Sequence, residues 1–150
     1  MLRLDAINME DLTMALEFRF TDYVAFWWID PETGVIDLWS EDAADEDGLG
    51  EDYVDGRGGI RIDPIESYEG YADMEGFIAG LRDPRARERL QRAINGRGPF
   101  RRFKDAIWNS PLETEWYEYH DAVMKRRAIK WLASWHLVDQ AEADAALEQV

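Results

Sequence analysis

The segment that most constrains the fold is residues 96–137, GRGPFRRFKDAIWNSPLETEWYEYHDAVMKRRAIKWLASWHL. It contains four of the seven tryptophans in this chain of 150 residues. Large apolar side chains recur in it every three or four positions, which is the spacing of one buried face of an α-helix. The predicted inner positions are Phe100, Phe103, Ile107, Trp108, Trp116, Tyr119, Val123, Trp131, Leu132 and Trp135. The pattern predicts two consecutive amphipathic helices.

Prolines indicate where these helices begin and end. Proline at the first helical position has its φ already set and gives up no needed hydrogen bond, so Pro99 predicts a helix start. Ser110 precedes Pro111 and is therefore disfavoured in the α conformation, which predicts a helix end. Pro84 predicts a further start, and apolar residues between 71 and 81 predict one more helix.

The first half of the chain contains strand patterns instead. Residues 22–29 are aromatic and β-branched without polar alternation, which is typical of a strand covered on both faces. Turn residues follow, and residues 35–39 form the return strand of a predicted hairpin. Residues 59–63 alternate between apolar and polar and end at Pro64, so they predict a third strand.

These patterns predict an α+β fold. A small antiparallel sheet of two or three strands is expected to pack against a C-terminal bundle of about four helices. The length suits a single domain, which we expect over residues 1–137. Residues 138–150 form a tail rich in alanine and acids that can be helical but has few large apolar residues to require it.

Charge is distributed unevenly along the chain. Residues 1–80 carry 21 acidic and 4 basic side chains, whereas residues 81–150 carry 11 acidic and 13 basic ones. The total of −15 disfavours general attraction to nucleic acid or to anionic membranes. Residues 82–104 are the local exception, with nine basic side chains against two acidic ones.

Residues 40–55 are predicted to form an acidic, solvated loop, because like charges repel one another and apolar anchors are few. We interpret this loop as a surface for a basic partner. Its candidate residues are Glu41, Asp42, Asp45, Glu46, Asp47, Glu51 and Asp52. The Asp and Gly residues at 45–48 resemble part of a calcium loop, but the register puts Ala43 and Val54 at the first and last ligand positions.

An anion site is the alternative interpretation, at the start of the predicted Pro99 helix. Backbone N–H groups at a helix N-terminus and nearby guanidinium groups can together bind phosphate. The candidate residues are Arg97, Gly98, Arg101, Arg102 and Lys104. Neither Gly-Arg-Gly triplet of the chain completes a dinucleotide-binding or nucleotide-binding loop. If no anion binds there, these glycines simply form turns and helix boundaries.

No catalytic constellation is recognisable. The chain has no cysteine, and His120 has no carboxylate or second histidine three or four positions away along its predicted helix. The sequence therefore predicts no cofactor and no metal site. An enzyme that uses Glu115, His120 or Asp121 is the minority hypothesis.

One segment resembles a known family. The run Gly96-Arg97-Gly98-Pro99-Phe100-Arg101-Arg102-Phe103-Lys104-Asp105 is followed by Glu115-Trp116-Tyr117 and Ala128-Ile129-Lys130-Trp131-Leu132. Together with Met74-Glu75-Gly76-Phe77-Ile78, these motifs resemble uncharacterised protein family 0158 of bacteria. Proline at 99 and the tail after 137 depart from the family pattern as we expect it. The resemblance implies no activity and no catalytic residues.

We therefore interpret the chain as a non-enzymatic interaction protein. The partner that we expect first is another protein with a basic surface, and nucleic acid is the second candidate. The sequence shows neither a signal peptide nor a membrane span, and the lack of cysteine suits the cytoplasm, so a cytoplasmic location is expected. No oligomeric state follows from the sequence.

Overall fold

A computed structural model describes residues 1–20, 24–42 and 50–150 of the chain. Three strands form one sheet: β1 (Ala25–Ile29), β2 (Ile36–Ser40) and β3 (Ile60–Ile62). Both pairings are antiparallel and the strand order is β2-β1-β3, with Trp28 opposite Asp37 on one side and Arg61 on the other. The α+β class and the predicted three strands are confirmed.

Seven α-helices lie within the described residues. They are α1 (Met9–Glu17), α2 (Glu51–Gly56), α3 (Ser67–Ala79), α4 (Pro84–Ile94), α5 (Pro99–Ile107), α6 (Leu112–Ser134) and α7 (Gln140–Leu147), and a short 3-10 turn (Leu4–Ala6) precedes them. Asn8 caps α1 by accepting a hydrogen bond from the Asp11 N–H at 3.1 Å. Pro84 and Pro99 occupy the first helical positions of α4 and α5, as predicted.

The chain divides into two compact units. Residues 1–64 and 124–150 form the sheet unit, which contains the three strands, α1, α2, the second part of α6, and α7. Residues 65–123 form the helical unit, which contains α3, α4, α5 and the first part of α6. The expectation of a single domain over residues 1–137 stays a prediction.

The helical unit is built on aromatic packing. Phe77 of α3 meets Phe103 of α5 and Trp116 of α6 edge to face, with ring centroids 6.3 and 5.3 Å away. Phe103 and Trp116 lie 4.8 Å apart. Aromatic pairs in this arrangement gain stability beyond the apolar area that they bury. The rest of the buried cluster comprises Met74, Ile78, Leu81, Leu90, Ile94 and Ile107.

The sheet unit has its own core and holds distant parts of the sequence together. Phe26 and Trp28 of β1 pack with Val54 of α2. Near the start of the chain, the Leu2 N–H donates to the Leu137 carbonyl at 2.7 Å, and the Leu4 N–H donates to Glu142 at 2.7 Å. Residues more than 130 positions apart therefore meet within this unit.

Three predicted inner positions are wrong. Trp108, Trp135 and Phe100 are 72 %, 52 % and 43 % exposed. At about 100° per residue, position 108 lies about 140° around the helix from the buried Phe103, so it faces outward. The acidic loop predicted over residues 40–55 also differs from the structure, because residues 51–56 are helical and Val54 is buried.

A buried carboxylate supports the turn between β1 and β2. Asp30 is 4 % exposed. Its carboxylate accepts from the Glu32 N–H at 2.9 Å and from the Arg57 guanidinium at 2.8 and 2.7 Å. The backbone hydrogen bond from Glu32 is the largest cause that lowers the pKa of Asp30, and Arg57 adds to it, while burial opposes them. The ionised form of Asp30 therefore stabilises the fold.

We predict that Asp30→Asn lowers the free energy of unfolding at neutral pH by about 1–3 kcal/mol, because a charged hydrogen-bond acceptor is lost. The pKa of Asp30 is lowered in the folded state, so its contribution is complete above the ordinary value of 3.8 and disappears as the pH falls through the folded-state pKa. Urea unfolding of both proteins from pH 7 to pH 2 measures this. A stability difference that is independent of pH would contradict the prediction.

We also predict that Gly59→Ala destabilises the protein by about 1–3 kcal/mol through overpacking. A Cβ at Gly59 would lie 2.6 Å from Cε3 of Trp28 and 2.9 Å from the carbonyl oxygen of Val54. Gly56→Ala is the matched control, because nothing lies within 4 Å of its Cβ position. Thermal unfolding should separate the two variants, and equal melting temperatures would contradict the packing argument.

Candidate functional site

The candidate site is the basic segment, which we define as residues 82–104. It comprises the end of the α3–α4 connection, α4, the α4–α5 loop and the first part of α5. Its basic side chains are all exposed: Arg82, Arg85, Arg87, Arg89, Arg92, Arg97, Arg101, Arg102 and Lys104.

The local sequence of α4 turns its cations outward. Asp83 caps the helix by accepting from the Arg85 N–H at 3.0 Å. Leu90 and Ile94 are buried in the core of the helical unit. Arg85, Arg89 and Arg92 lie at i, i+4 and i+7, so they form one stripe on the opposite side of the helix.

The loop before α5 depends on a glycine and an arginine. Gly98 adopts the left-handed conformation with φ 61°, which glycine accepts without steric cost. Arg102 donates from Nη1 to the Asn95 carbonyl oxygen at 2.8 Å, so its guanidinium closes this loop from the side of α5. Arg102 therefore has a structural role besides any role in binding.

The solvent-facing side of α5 combines cations with a tryptophan. Phe103 and Ile107 are buried, and Arg101, Lys104 and Trp108 lie at i, i+3 and i+7 on the outward side. The Trp108 N–H donates to the Lys104 carbonyl at 2.9 Å, so the helical path continues to position 108. Trp108 was predicted as an inner position, although its spacing of seven and four residues from Arg101 and Lys104 indicated the outward side of the helix.

The basic segment is electrostatically uncompensated within its own structure. Ion pairs in the described ranges join Arg3 to Asp5 and Arg57 to Asp30, and none of the nine basic side chains takes part in one. Arg101 and Asp105 are i,i+4 neighbours on α5 and still form no ion pair in the described structure.

A pocket of about 620 Å³ adjoins the basic segment within the helical unit. Its lining includes Leu81, Ala86 and Leu112 together with Arg82, Arg89, Asp83 and Glu115. Two cationic and two anionic side chains line the pocket, so it shows no preference for an anion over a cation.

A smaller pocket of about 220 Å³ lies in the sheet unit between Phe18, Phe26 and Trp27. Two cations, Arg19 and Arg61, line this pocket. The Arg61 guanidinium carbon lies 3.8 Å from the Phe26 ring centroid, so this cation already stacks on the aromatic lining.

The predicted acidic surface is only partly described. Glu41, Asp42 and Asp52 are exposed and take part in no ion pair within the described ranges. Residue 51 belongs to α2, and the candidates Asp45, Glu46 and Asp47 lie outside the described residues.

The residues of the minority enzyme hypothesis do not form one site on α6. Glu115 and Asp121 are exposed, while His120 is half-buried with its ring 5.2 Å from that of Trp116. Glu115 and His120 are five positions apart, which puts them about 140° apart around the helix. The described residues hold no cluster of three or more side chains suited to bind a metal ion.

Among the helices in the described part of the chain, none is both long enough and apolar enough to cross a membrane.

Comparison with known proteins identifies a family whose description names no activity. The profile of an uncharacterised protein family, UPF0158, matches residues 6–149. A UPF0158 protein of Pseudomonas aeruginosa is 28 % identical over 129 residues, which cover 84 % of this chain and 80 % of the relative. No solved structure matches. The match over nearly the whole chain confirms the resemblance that the Gly-Arg-Gly and tryptophan motifs indicated, and the chain belongs to the uncharacterised protein family UPF0158.

Proposed function

We propose that the protein is a non-enzymatic binding module whose basic segment binds nucleic acid. The observation that supports this proposal is the set of nine exposed basic side chains that form no ion pair within the described residues. Clustered cations repel one another and contribute little to folding, whereas phosphates of a ligand would neutralise them and release bound counterions.

The geometry of α4 and α5 supports the choice of a phosphate-rich ligand. The stripe of Arg85, Arg89 and Arg92 suits an extended run of negative charge better than a single small anion. At the start of α5 no side chain caps the helix, and Arg97 and Arg101 are within three residues of the N-cap Gly98, a combination that favours phosphate oxygens.

The total charge of −15 restricts this binding to a local contact. Acidic side chains elsewhere on the chain repel a polyanion, so we expect moderate affinity that is lost as salt is added. The arrangement of Glu115, His120 and Asp121 on different sides of α6 favours a binding role over a catalytic one.

A second candidate function is binding of a basic protein through the acidic first half, in a cytoplasmic setting. Its support is that Glu41, Asp42 and Asp52 are exposed without an ion pair in the described ranges. Residues 1–80 carry a net charge of −17, so this part of the chain attracts cationic surfaces at long range.

The first proposal predicts salt-sensitive binding that depends on α5. Fluorescence anisotropy with labelled oligonucleotides of about 20 nucleotides should show the affinity falling steeply between roughly 50 and 200 mM salt. Arg101→Ala/Lys104→Ala should lower the slope of log affinity against log salt by about 2, because two phosphate contacts are lost. These residues are preferable to Arg102, whose guanidinium also holds the α4–α5 loop.

Lys125→Ala/Lys130→Ala is the charge-matched control, because both lysines are exposed on α6 outside the basic segment. It should leave the salt slope of the wild type unchanged. An equal loss in both double variants would show that net charge alone governs binding, and absence of binding at low salt would refute the proposal.

The second candidate predicts that Glu41→Gln/Asp42→Asn/Asp52→Asn weakens binding of a fluorescent oligolysine peptide at least about threefold, because each exposed charge pair contributes a few tenths of a kcal/mol. Glu75→Gln/Asp105→Asn/Glu118→Gln removes the same charge from exposed positions of the helical unit. If both triple variants lose affinity equally, the acidic residues near the sheet form no distinct surface.

A further inference from the structure

We propose that Trp108 is a stacking platform for an unpaired base, so that the basic segment binds single-stranded nucleic acid in preference to a duplex. This inference rests on the proposed function and adds the class of ligand and the residue that selects it.

The exposure of Trp108 is unexplained by folding. Its side chain is 72 % exposed, whereas Trp28 in the core is 5 % exposed. Tryptophan is the largest apolar side chain and gains much by burial, so a ring left in water contributes little to stability. A ring in this position is instead free to bind a planar ligand.

The neighbours of Trp108 indicate which ligand that is. Arg101 and Lys104 lie on the same side of α5, about 10 and 6 Å along the helix axis from position 108. Asp105 also lies on the outward side, so the stripe carries a net charge of +1. Proteins that bind single strands use this combination: cations contact the phosphate backbone, and a neighbouring aromatic ring stacks on a base.

The same geometry discriminates against a duplex. Bases in a double helix stack on each other and hide their faces, while an unpaired base can lay its face on the indole ring. A duplex can therefore contact the cations of the basic segment but not the face of Trp108. The other exposed aromatic residues of the helical unit are Tyr68 on α3, Tyr117 on α6 and Phe100 on α5. The Phe100 ring approaches α3, where its Cε1 lies 3.2 Å from the position that a Cβ on Gly70 would take.

The test compares binding of three labelled probes by the full chain at fixed low salt: a single-stranded DNA, a single-stranded RNA and a duplex DNA, each of about 20 nucleotides. Trp108→Ala should weaken binding of a single strand about tenfold and leave duplex binding and the salt slope unchanged. Trp108→Phe should retain most of the affinity, because a phenyl ring still stacks. Trp135→Ala is the control, since that tryptophan is also exposed but lies on the path that follows α6.

The possible outcomes separate this inference from the proposed function. Loss on either single strand with unchanged duplex binding supports stacking on Trp108. If Trp108→Ala leaves single-strand affinity unchanged, or weakens the duplex equally, the stacking inference is wrong even though salt-sensitive binding by the wild type still supports the basic segment. If the wild type binds no probe at low salt, both proposals are wrong. Circular dichroism of each variant excludes loss of folding as the cause.

Discussion

Edge-to-face packing of Phe77, Phe103 and Trp116 is the interaction on which the helical unit depends. It joins α3, α5 and α6 through one side chain each and brings ring centroids within 4.8 to 6.3 Å. Once Phe103 is held inward, the helical period directs Arg101, Lys104 and Trp108 outward. The core contact therefore determines which chemical groups α5 presents to the solvent, including the cations and the tryptophan of the proposed binding surface.

The chain uses charge in two different ways. In the sheet unit, Arg57 Nη2 lies 2.7 Å from Asp30 Oδ2. The same carboxylate accepts a hydrogen bond from the Glu32 N–H and so stabilises the turn between β1 and β2. In the basic segment, the cations extend into the solvent, and within the described structure no carboxylate compensates them. Removing Arg57 or Asp30 breaks hydrogen bonds that support the fold, whereas removing an exposed cation such as Arg101 or Lys104 changes only the surface. This contrast is the physical reason for assigning Arg57 to stability and proposing Arg101 and Lys104 for recognition, while Arg102 also closes the α4–α5 loop.

Local chemistry made much of the fold predictable. Prolines and capping side chains determine helix starts through backbone geometry, so Asn8, Pro84 and Pro99 could be interpreted without knowledge of the rest of the chain. The prediction for Trp108 was wrong because hydrophobicity was weighed above angular position. Helix α2 was missed because its anchor, Val54, packs on Phe26 and Trp28 of a distant strand, and no local pattern contains that contact. The candidate residues Arg97, Arg101 and Lys104 could be proposed from the sequence, but only the structure shows that they form no ion pair with the residues it describes.

The two units differ in how they use the linear chain, and this difference has a consequence for biosynthesis. The helical unit is one uninterrupted stretch, residues 65–123, so all its contacts are available as soon as that stretch has left the ribosome. The sheet unit needs residues 124–150 as well as 1–64, and Leu2 pairs with Val138. Residues 1–64 must therefore wait for residues 124–150, which complete the sheet unit, while residues 65–123 are synthesised and fold. During that interval β1 can already pair with β2 and β3, whereas the N–H groups of Leu2 and Leu4 still lack their partners Leu137 and Glu142.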